Sequence, residues 1–183
     1  MSITPQQAAK VLAEADQLYS KADVEQVLDR LAMEITGKLS GKDPLVLCVL
    51  NGALIPTGHL LTRLNFTLRH DYIHATRYRG GTSGAELEWI GRPSTTLKDE
   101  IVLVIDDILD QGVTLSAIVD ACKEAGAKAV YSAVLVEKRH DKGNGFKADF
   151  IGLMVEDRYV FGYGMDYMGY HRNASGIFAV AEN

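Results

Sequence analysis

The stretch IVLVIDDILDQGVTLSAIVDACKEA, residues 101–125, decides the fold. Its first five residues are apolar and rich in β-branched side chains, which predicts a buried central strand. After a short loop, apolar residues recur at helical spacing between Leu115 and Cys122, and Gly126 is a typical helix end. A strand, a loop and a helix in this order indicate an α/β protein with a mostly parallel sheet.

Three acids follow that strand: Asp106 and Asp107, where the strand is predicted to end, and Asp110 in the loop. In open α/β sheets, ligands bind at the carboxyl ends of the strands. Backbone N–H groups and the positive end of a helix dipole suit a phosphate, whereas the acids suit a metal ion or sugar hydroxyls. The stretch therefore predicts a site for a phosphorylated sugar. A purely structural strand–turn–helix is the less favoured alternative, because three acids and a glycine contribute little to packing.

The segment VLVIDDILDQGVT resembles the phosphoribosyl-diphosphate signature of type I phosphoribosyltransferases: an apolar strand, two acids, two further residues, an acid and a small Gly/Thr loop. The resemblance implies the type I phosphoribosyltransferase fold. That fold has a central mostly parallel sheet flanked by helices, a small hood built from the N- and C-terminal segments, and a flexible lid loop. The resemblance also implies that phosphoribosyl diphosphate is bound by Asp106, Asp107, Gln111, Gly112, Val113 and Thr114.

The composition fits one globular domain, residues 1–183, and limits its partners. The 183 residues are 47% hydrophobic, and the net charge of −5 argues against a broad nucleic-acid-binding surface. No apolar run approaches the length of a membrane span, and the N-terminus lacks the layout of a signal peptide. Cys48 and Cys122 lie in apolar segments, which is typical of buried free thiols in a reducing compartment. We therefore expect a cytoplasmic protein that binds neither nucleic acid nor a membrane.

Further helices and strands are predicted on both sides of the central stretch. Thr4 and Pro5 are typical of a helix start, and Ser20 with Asp23 predicts a capping box at the start of a second helix. A third helix is predicted to end near Leu64. Apolar or alternating runs predict strands at residues 45–50, 68–75, 129–137, 149–155 and 177–180, with a polar surface loop at residues 140–148.

The predicted strand at residues 45–50 ends in Leu50-Asn51-Gly52, and a helix start follows. Taken alone, a glycine between a strand and a helix is a weak signal. Beside the first motif, these residues resemble the family's pyrophosphate-binding loop. That match implies a cis bond between Leu50 and Asn51, with the amide groups of Asn51, Gly52 and Ala53 facing the pyrophosphate. An ordinary turn with glycine at positive φ is the alternative.

Residues 76–99 are Gly-rich, polar and long for a connection inside a compact domain. The resemblance implies a mobile lid that closes over the reaction centre and excludes water, and residues 86–90 suggest a short hairpin strand within it. The family usually has a Ser-Tyr pair in this loop, whereas this chain has Arg77-Tyr78. Arg77 is interpreted either as a pyrophosphate ligand, because guanidinium matches phosphate oxygens bidentately, or as a solvated surface residue.

The C-terminal part of the chain resembles the purine-binding part of the family. Lys138 follows a predicted strand, and its match in purine-specific relatives donates to the 6-oxo group, which selects hypoxanthine and guanine over adenine. By a second match, Tyr159 stacks on the purine and Val160 offers main-chain groups to its edge. The same match implies that Asp166 lies near the purine 2-position and the metal. Arg172 matches an arginine that contacts pyrophosphate.

These ordered motifs resemble the hypoxanthine–guanine branch of the family. The implied reaction is purine salvage, in which phosphoribosyl diphosphate and hypoxanthine or guanine give IMP or GMP plus pyrophosphate. Asp110 is interpreted as the acid/base that exchanges the proton on purine N7, and Asp106, Asp107 and Asp166 as the groups that hold Mg²⁺. Relatives are dimers or tetramers, which implies a homodimer or homotetramer.

Three alternatives stay open. A sister enzyme that prefers xanthine would differ at the purine 2-substituent. A non-catalytic regulator that senses phosphoribosyl diphosphate would need a basic nucleic-acid-binding face or an added DNA-binding domain, and this acidic chain has no sign of either. A generic nucleotide-binding module does not explain why Lys138, Tyr159 and Asp166 occur in the matching order.

Overall fold

Helices and strands alternate along the chain, whose computed structural model describes residues 3–77 and 87–182. The helices are α1 (Pro5–Glu14), α2 (Lys21–Leu39), α3 (Leu54–Leu61) and α4 (Val113–Glu124). The strands are β1 (Asp16–Tyr19), β2 (Leu45–Leu50), β3 (Arg69–Arg77), β4 (Leu87–Gly91), β5 (Ile101–Leu109), β6 (Ala129–Arg139), β7 (Phe150–Glu156), β8 (Val160–Phe161) and β9 (Ile177–Ala179).

The main sheet of the described chain has the strand order β4-β3-β2-β5-β6-β7. Neighbours from β3 to β7 in this order run parallel, and β4 joins the β3 edge antiparallel. The carboxyl ends of β2, β5 and β6 therefore lie side by side at one edge of the sheet. The predicted α/β fold with a central, mostly parallel sheet is confirmed.

Strand β5 is buried on both faces of the sheet, as its apolar run predicts. Leu103 and Ile105 belong to the core that α2 covers, whereas Val102 and Val104 belong to the core that contains the apolar side of α4. Alternate side chains of a strand point to opposite faces, so a helix is needed on each face. The central strand is thereby held rigidly, and its carboxyl end has a fixed position.

The structure extends β5 beyond the end predicted from the sequence. Asp106, Ile108 and Leu109 remain paired with β6, so the strand ends at Leu109 and not at the first acid. The prediction was wrong because β6 continues to offer apolar partners at Val134 and Val136. The acids still lie in the carboxyl-terminal part of the strand.

The predicted helix starts are confirmed, and one helix end differs. Gln7 N–H donates to the Thr4 hydroxyl at 3.2 Å, and Asp23 N–H donates to the Ser20 hydroxyl at 3.2 Å. Both helices have complete capping boxes, which satisfy N–H groups that lack a partner within the helix. Helix α3 ends at Leu61, three residues earlier than predicted.

A second, three-stranded sheet has the order β1-β9-β8 and is antiparallel. Its strands come from the two ends of the described chain, the segments from which the hood was predicted. Strand β1 was not predicted, because its four residues lack a clear alternation and its partner β9 lies far away in sequence. We call these three strands the hood sheet.

Two strands extend into the predicted lid region, residues 76–99. Strand β3 reaches Arg77, and β4 returns antiparallel beside it, close to the hairpin strand predicted at residues 86–90. Residues 78–86, among them Tyr78, lie outside the described residues, as does the side chain of Arg77. None of the described helices combines the length and the apolar character needed to cross a membrane.

Candidate active site

Two adjacent carboxylates at the end of β5 form the floor of the site. Asp106 is buried, and burial together with the negative charge of Asp107 raises the pKa of its carboxyl well above the usual value. Burial also raises the pKa of Asp107, while the positive charge of Arg172 opposes that shift. Asp107 N–H donates to Asp106 Oδ1 at 2.9 Å, and Ile108 N–H donates to Asp107 Oδ1 at 3.0 Å. The pair is electrostatically unfavourable without a cation beside it.

The loop after β2 closes against this pair. The peptide bond between Leu50 and Asn51 is cis, as the resemblance implied. A side chain at Gly52 would overlap the carboxylate of Asp107. Ala53 N–H donates to Val49 O at 3.0 Å, which fixes the turn into α3. A glycine is therefore required at residue 52 for the two strand ends to approach each other.

The loop before α4 makes the phosphate side of the site. Gly112 has φ +78°, a left-handed conformation that favours glycine, and its carbonyl accepts from Ser116 N–H at 2.9 Å. A Cβ at Gly112 would come within 2.5 Å of Asn144 Oδ1. Thr114 lies in the first turn of α4, whose N-terminus is the positive end of the helix dipole. Such an end is suited to an anion.

The loop between β8 and β9, residues 162–176, closes the site from the hood side, and we call it the hood loop. Arg172 donates to Gly164 O at 2.6 Å and pairs with Asp166 Oδ1 at 2.6 Å. Gly164 has φ +110°, and a Cβ there would overlap the carbonyl of Gly52. The hood loop and the loop after β2 are therefore in direct contact, which positions Arg172 and Asp166 near the acids of β5.

Asp110 and Lys138 lie at the ends of neighbouring strands. Leu109 pairs with Glu137 in the sheet, so the residues that follow them, Asp110 and Lys138, lie close together. Lys138 Nζ is 3.7 Å from Asp110 Oδ2 and 3.8 Å from Asp157 Oδ1. The Lys138 side chain is largely buried, whereas that of Asp110 is half exposed.

Two cavities adjoin at these residues. The first has a volume of about 300 Å³, and the second, of about 220 Å³, shares four lining residues with it. The predicted residues that line the first are Leu50, Asn51, Gly52, Asp106, Asp107, Asp110, Gln111, Gly112, Thr114, Asp166 and Arg172. Those that line the second are Asp107, Asp110, Lys138, Tyr159, Val160 and Asp166. Val113 begins α4 beside the first cavity without lining it.

The ring of Tyr159 is half exposed at the second cavity, where a flat ligand could stack on it. Its centroid is 5.2 Å from that of Tyr167, and the two rings meet edge to face. Val160 is buried in β8, so the hood sheet supports this side of the cavity.

Sequence reasoning missed two polar residues near Asp110 and Lys138, His140 and Asp157. His140 belongs to the predicted surface loop, but its side chain is only 6% exposed and its Nε2 is 2.7 Å from Asp110 Oδ1. The available signal was topological: a strand–helix–strand unit brings the carboxyl ends of its two strands together, so residues just after β6 face those just after β5.

Two clusters of side chains could hold a metal ion. Ligand atoms of Asp110, His140 and Asp157 all lie within 4.8 Å of one another. The other group is the buried pair Asp106 and Asp107, predicted from the sequence together with Asp166. Oxygen ligands of this kind suit a hard divalent cation.

The comparisons with known proteins agree with this geometry. Residues 14–168 match the family described as phosphoribosyl transferase domain. A hypoxanthine-guanine phosphoribosyltransferase of Bacillus subtilis is 32% identical over 85% of this chain and 87% of that protein. The bifunctional protein TilS/HprT of Listeria innocua is 34% identical over 85% of this chain, which spans only 24% of that longer relative. A solved hypoxanthine phosphoribosyltransferase structure from Staphylococcus aureus has a TM-score of 0.87 at 24% identity, over 93% of this chain and 94% of that one.

A central parallel sheet with paired acids and a phosphate-type loop at one strand end defines a class of protein, and the chain belongs to it: the phosphoribosyltransferase family. Within that family, the chain is similar to proteins named hypoxanthine-guanine phosphoribosyltransferase.

Proposed function

We propose that the protein transfers the 5-phosphoribosyl group from phosphoribosyl diphosphate to N9 of hypoxanthine or guanine, giving IMP or GMP plus pyrophosphate. The observation that carries the proposal is the junction of two cavities. One is lined by the acids and loops suited to a sugar phosphate, and the other by Lys138 and Tyr159. Asp110 lines both, so it would lie where the two substrates meet.

In this proposal the sugar phosphate occupies the larger cavity. The loop at Gln111, Gly112 and Thr114 holds the 5-phosphate at the start of α4. Asn51 and Gly52 face the pyrophosphate together with Arg172, whose guanidinium supplies a positive charge. Asp106 and Asp107 are suited to the ribose hydroxyls, directly or through the waters of a metal ion.

Mg²⁺ fits the acid pair. Burial raises the pKa of both carboxyls, and the charge of Asp107 adds to the shift of Asp106, so a divalent cation would relieve the strain of two buried negative charges. Asp106 and Asp107 would hold the ion with Asp166. The ion supplies positive charge that offsets the charge of the departing pyrophosphate.

The purine occupies the smaller cavity. Tyr159 stacks on the ring, main-chain groups of Val160 meet its edge, and Lys138 donates to the 6-oxo group. As the lone pair of N9 attacks C1 of the ribose, the bond between C1 and the pyrophosphate oxygen breaks, and its electron pair leaves with pyrophosphate. The proton on N7 passes to Asp110, which acts as general base.

Three further features belong to the proposal. Residues 1–183 function as one phosphoribosyltransferase domain, with Arg77 and Tyr78 in a segment that closes over the site. The protein assembles as a homodimer or homotetramer. It acts in the cytoplasm, a reducing compartment that suits the two free, buried cysteines, Cys48 and Cys122.

The proposal is tested by incubating the purified protein with phosphoribosyl diphosphate, Mg²⁺ and, in turn, hypoxanthine, guanine, xanthine or adenine. We expect IMP and GMP, with little product from adenine. Asp110→Asn should lower turnover by about 100-fold or more while binding of phosphoribosyl diphosphate stays near normal. Product from xanthine alone would favour the xanthine-preferring alternative. Binding of phosphoribosyl diphosphate with no nucleotide formed would favour the regulator.

A further inference from the structure

We propose that His140 is a positioning residue that holds the carboxylate of Asp110 in the orientation needed to accept a proton from the purine. This inference rests on the proposed function, because it assigns His140 to the same reaction. It starts from the hydrogen bond between His140 Nε2 and Asp110 Oδ1, at 2.7 Å.

The backbone fixes which ring nitrogen carries the hydrogen. Lys142 N–H donates to His140 Nδ1 at 3.1 Å, so Nδ1 is the acceptor and has no proton. The hydrogen of the ring is therefore on Nε2, from which it is donated to Asp110. A backbone N–H that sets the tautomer of a histidine, and thereby the direction of its second hydrogen bond, is a common way to orient an acid/base pair.

The two carboxylate oxygens of Asp110 have different partners, and we assign them different roles. Oδ1 accepts from His140, while Oδ2 lies 3.7 Å from Lys138 Nζ. In the proposed complex Lys138 meets the 6-oxo group of the purine, and N7 lies beside that oxygen on the same edge of the base. Oδ2 is thus the oxygen that faces N7. It keeps this direction because Oδ1 is hydrogen-bonded to His140.

The burial of the two side chains supports the same division. The Asp110 side chain is 45% exposed, so it could rotate in water without a support, whereas His140 is 6% exposed and fixed by its surroundings. A half-exposed catalytic group held by a buried partner loses less conformational freedom when the substrate binds. The buried ring is therefore the rigid member of the pair.

The alternative role for these residues is a metal site made with Asp157. Charge argues against it. Lys138 Nζ already lies within 3.8 Å of Asp110 and Asp157, and Lys142 Nζ is 2.5 Å from Asp157 Oδ2. Two ammonium groups already balance the two carboxylates, so a divalent cation would add unfavourable charge.

The experiment compares three variants of the full chain by steady-state kinetics. His140→Ala removes the donor to Asp110 and should lower kcat about 10-fold, with KM for phosphoribosyl diphosphate nearly unchanged. His140→Gln places an amide N–H close to the position of Nε2 and should restore most of kcat. His140→Asn can still accept from Lys142 N–H but is too short to reach Asp110, so it should keep the fold and lose kcat as Ala does. Thermal unfolding of each variant checks the fold.

Two further readouts separate positioning from a merely structural role. In an Asp110→Asn background, His140→Ala should cause no additional loss of turnover, because the partner it positions is already disabled. In ¹⁵N NMR of the wild-type protein, the His140 ring should have hydrogen on Nε2 and none on Nδ1. Additive losses, equal activity of the Asn and Gln variants, or hydrogen on Nδ1 would overturn the inference. A wild-type protein that forms no nucleotide would instead overturn the proposed function, and the NMR result would still report on the His140–Asp110 contact.

Discussion

Gly52 lies so close to the carboxylate of Asp107 that residue 52 has no room for a side chain. The contact joins the loop after β2 to the end of β5, the two strand ends that carry the proposed pyrophosphate and ribose contacts. Gly52→Ala should separate these strand ends. We expect a loss of stability of about 1–3 kcal/mol, as for other overpacked sites, and at least a 10-fold weaker binding of phosphoribosyl diphosphate. Chemical denaturation and isothermal titration would measure the two effects.

Gly58→Ala is the matched control for this substitution. Gly58 lies six residues later, within α3, and a Cβ there would meet nothing within 4 Å. Alanine is the better helix former, so the control should gain about 0.5–1 kcal/mol of stability and bind normally. If both variants bound phosphoribosyl diphosphate equally well, the contact with Asp107 would not determine the shape of the site.

Lys138 is predicted to control the choice of base. Its side chain is 14% exposed and lies between Asp110 and Asp157, which keep its ammonium group in place. Lys138→Met removes the charged donor to the 6-oxo group, and such a bond contributes about 1.5–3 kcal/mol. We therefore expect kcat/KM for hypoxanthine to fall by about 10- to 150-fold, with little change for adenine.

Lys123→Met is the control for that experiment. Lys123 is exposed on α4 and pairs with Asp120 at 3.1 Å, so its removal should leave kcat/KM for each purine unchanged. An unaltered ratio of hypoxanthine to adenine in Lys138→Met would remove Lys138 from base selection.

The parts of the fold that the sequence could predict are those with local signals. The apolar run of β5 and the acids after it are contiguous, and the capping boxes at Thr4 and Ser20 each span four residues. The length of β5 was not predictable from its own residues, because it depends on which residues of β6 lie opposite Ile108 and Leu109. Strand pairing is a tertiary property, and it overrides local polarity.

The residues of the site likewise divide into those with a local sequence signal and those without one. Asp106, Asp107 and Asp110 stand in one recognisable motif, whereas His140 comes 30 residues after its partner in a segment that looks polar and exposed. Its role depends on the register of β5 against β6 and on one backbone N–H from Lys142. The register is not encoded by any pattern near His140. The hood contact between Gly164 and Gly52 is equally long-range.

The stability of the hood loop should depend on pH through Glu25. The Tyr163 hydroxyl donates to Glu25 at 2.6 Å, and this bond, assisted by Arg63 and opposed by burial, lowers the pKa of the carboxyl. A lowered pKa in the folded state stabilises the protein above the unfolded value of about 4.3, and the stabilisation is lost as pH falls below it. We expect Glu25→Gln to cost about 1 kcal/mol at pH 7.

Urea denaturation at several pH values would measure this effect. The difference between wild type and Glu25→Gln should shrink between pH 5 and pH 3, roughly the range in which the unfolded carboxyl titrates. Glu14→Gln is the control, because Glu14 is exposed on α1 and its pair with Lys10 at 3.7 Å should contribute less than about 0.5 kcal/mol. A pH-independent difference would mean that the charge of Glu25 is not what stabilises the contact.

Asp71 should hold the chain between β4 and β5 in place. It is 7% exposed and accepts from Ser94 N–H at 2.8 Å, from the Ser94 hydroxyl at 2.9 Å and from Thr95 N–H at 3.0 Å. Burial acts to raise the pKa of Asp71, but these donors and Tyr72 N–H outweigh it and hold the pKa below its usual value.

Asp71→Ala would leave several donors without an acceptor. We expect a loss of about 2–3 kcal/mol, with faster amide hydrogen exchange at Ser94 and Thr95 than in the wild-type protein. Asp120→Ala, an exposed acid of α4, should change stability by less than about 0.5 kcal/mol. Unchanged exchange at Ser94 and Thr95 would show that Asp71 does not anchor this segment.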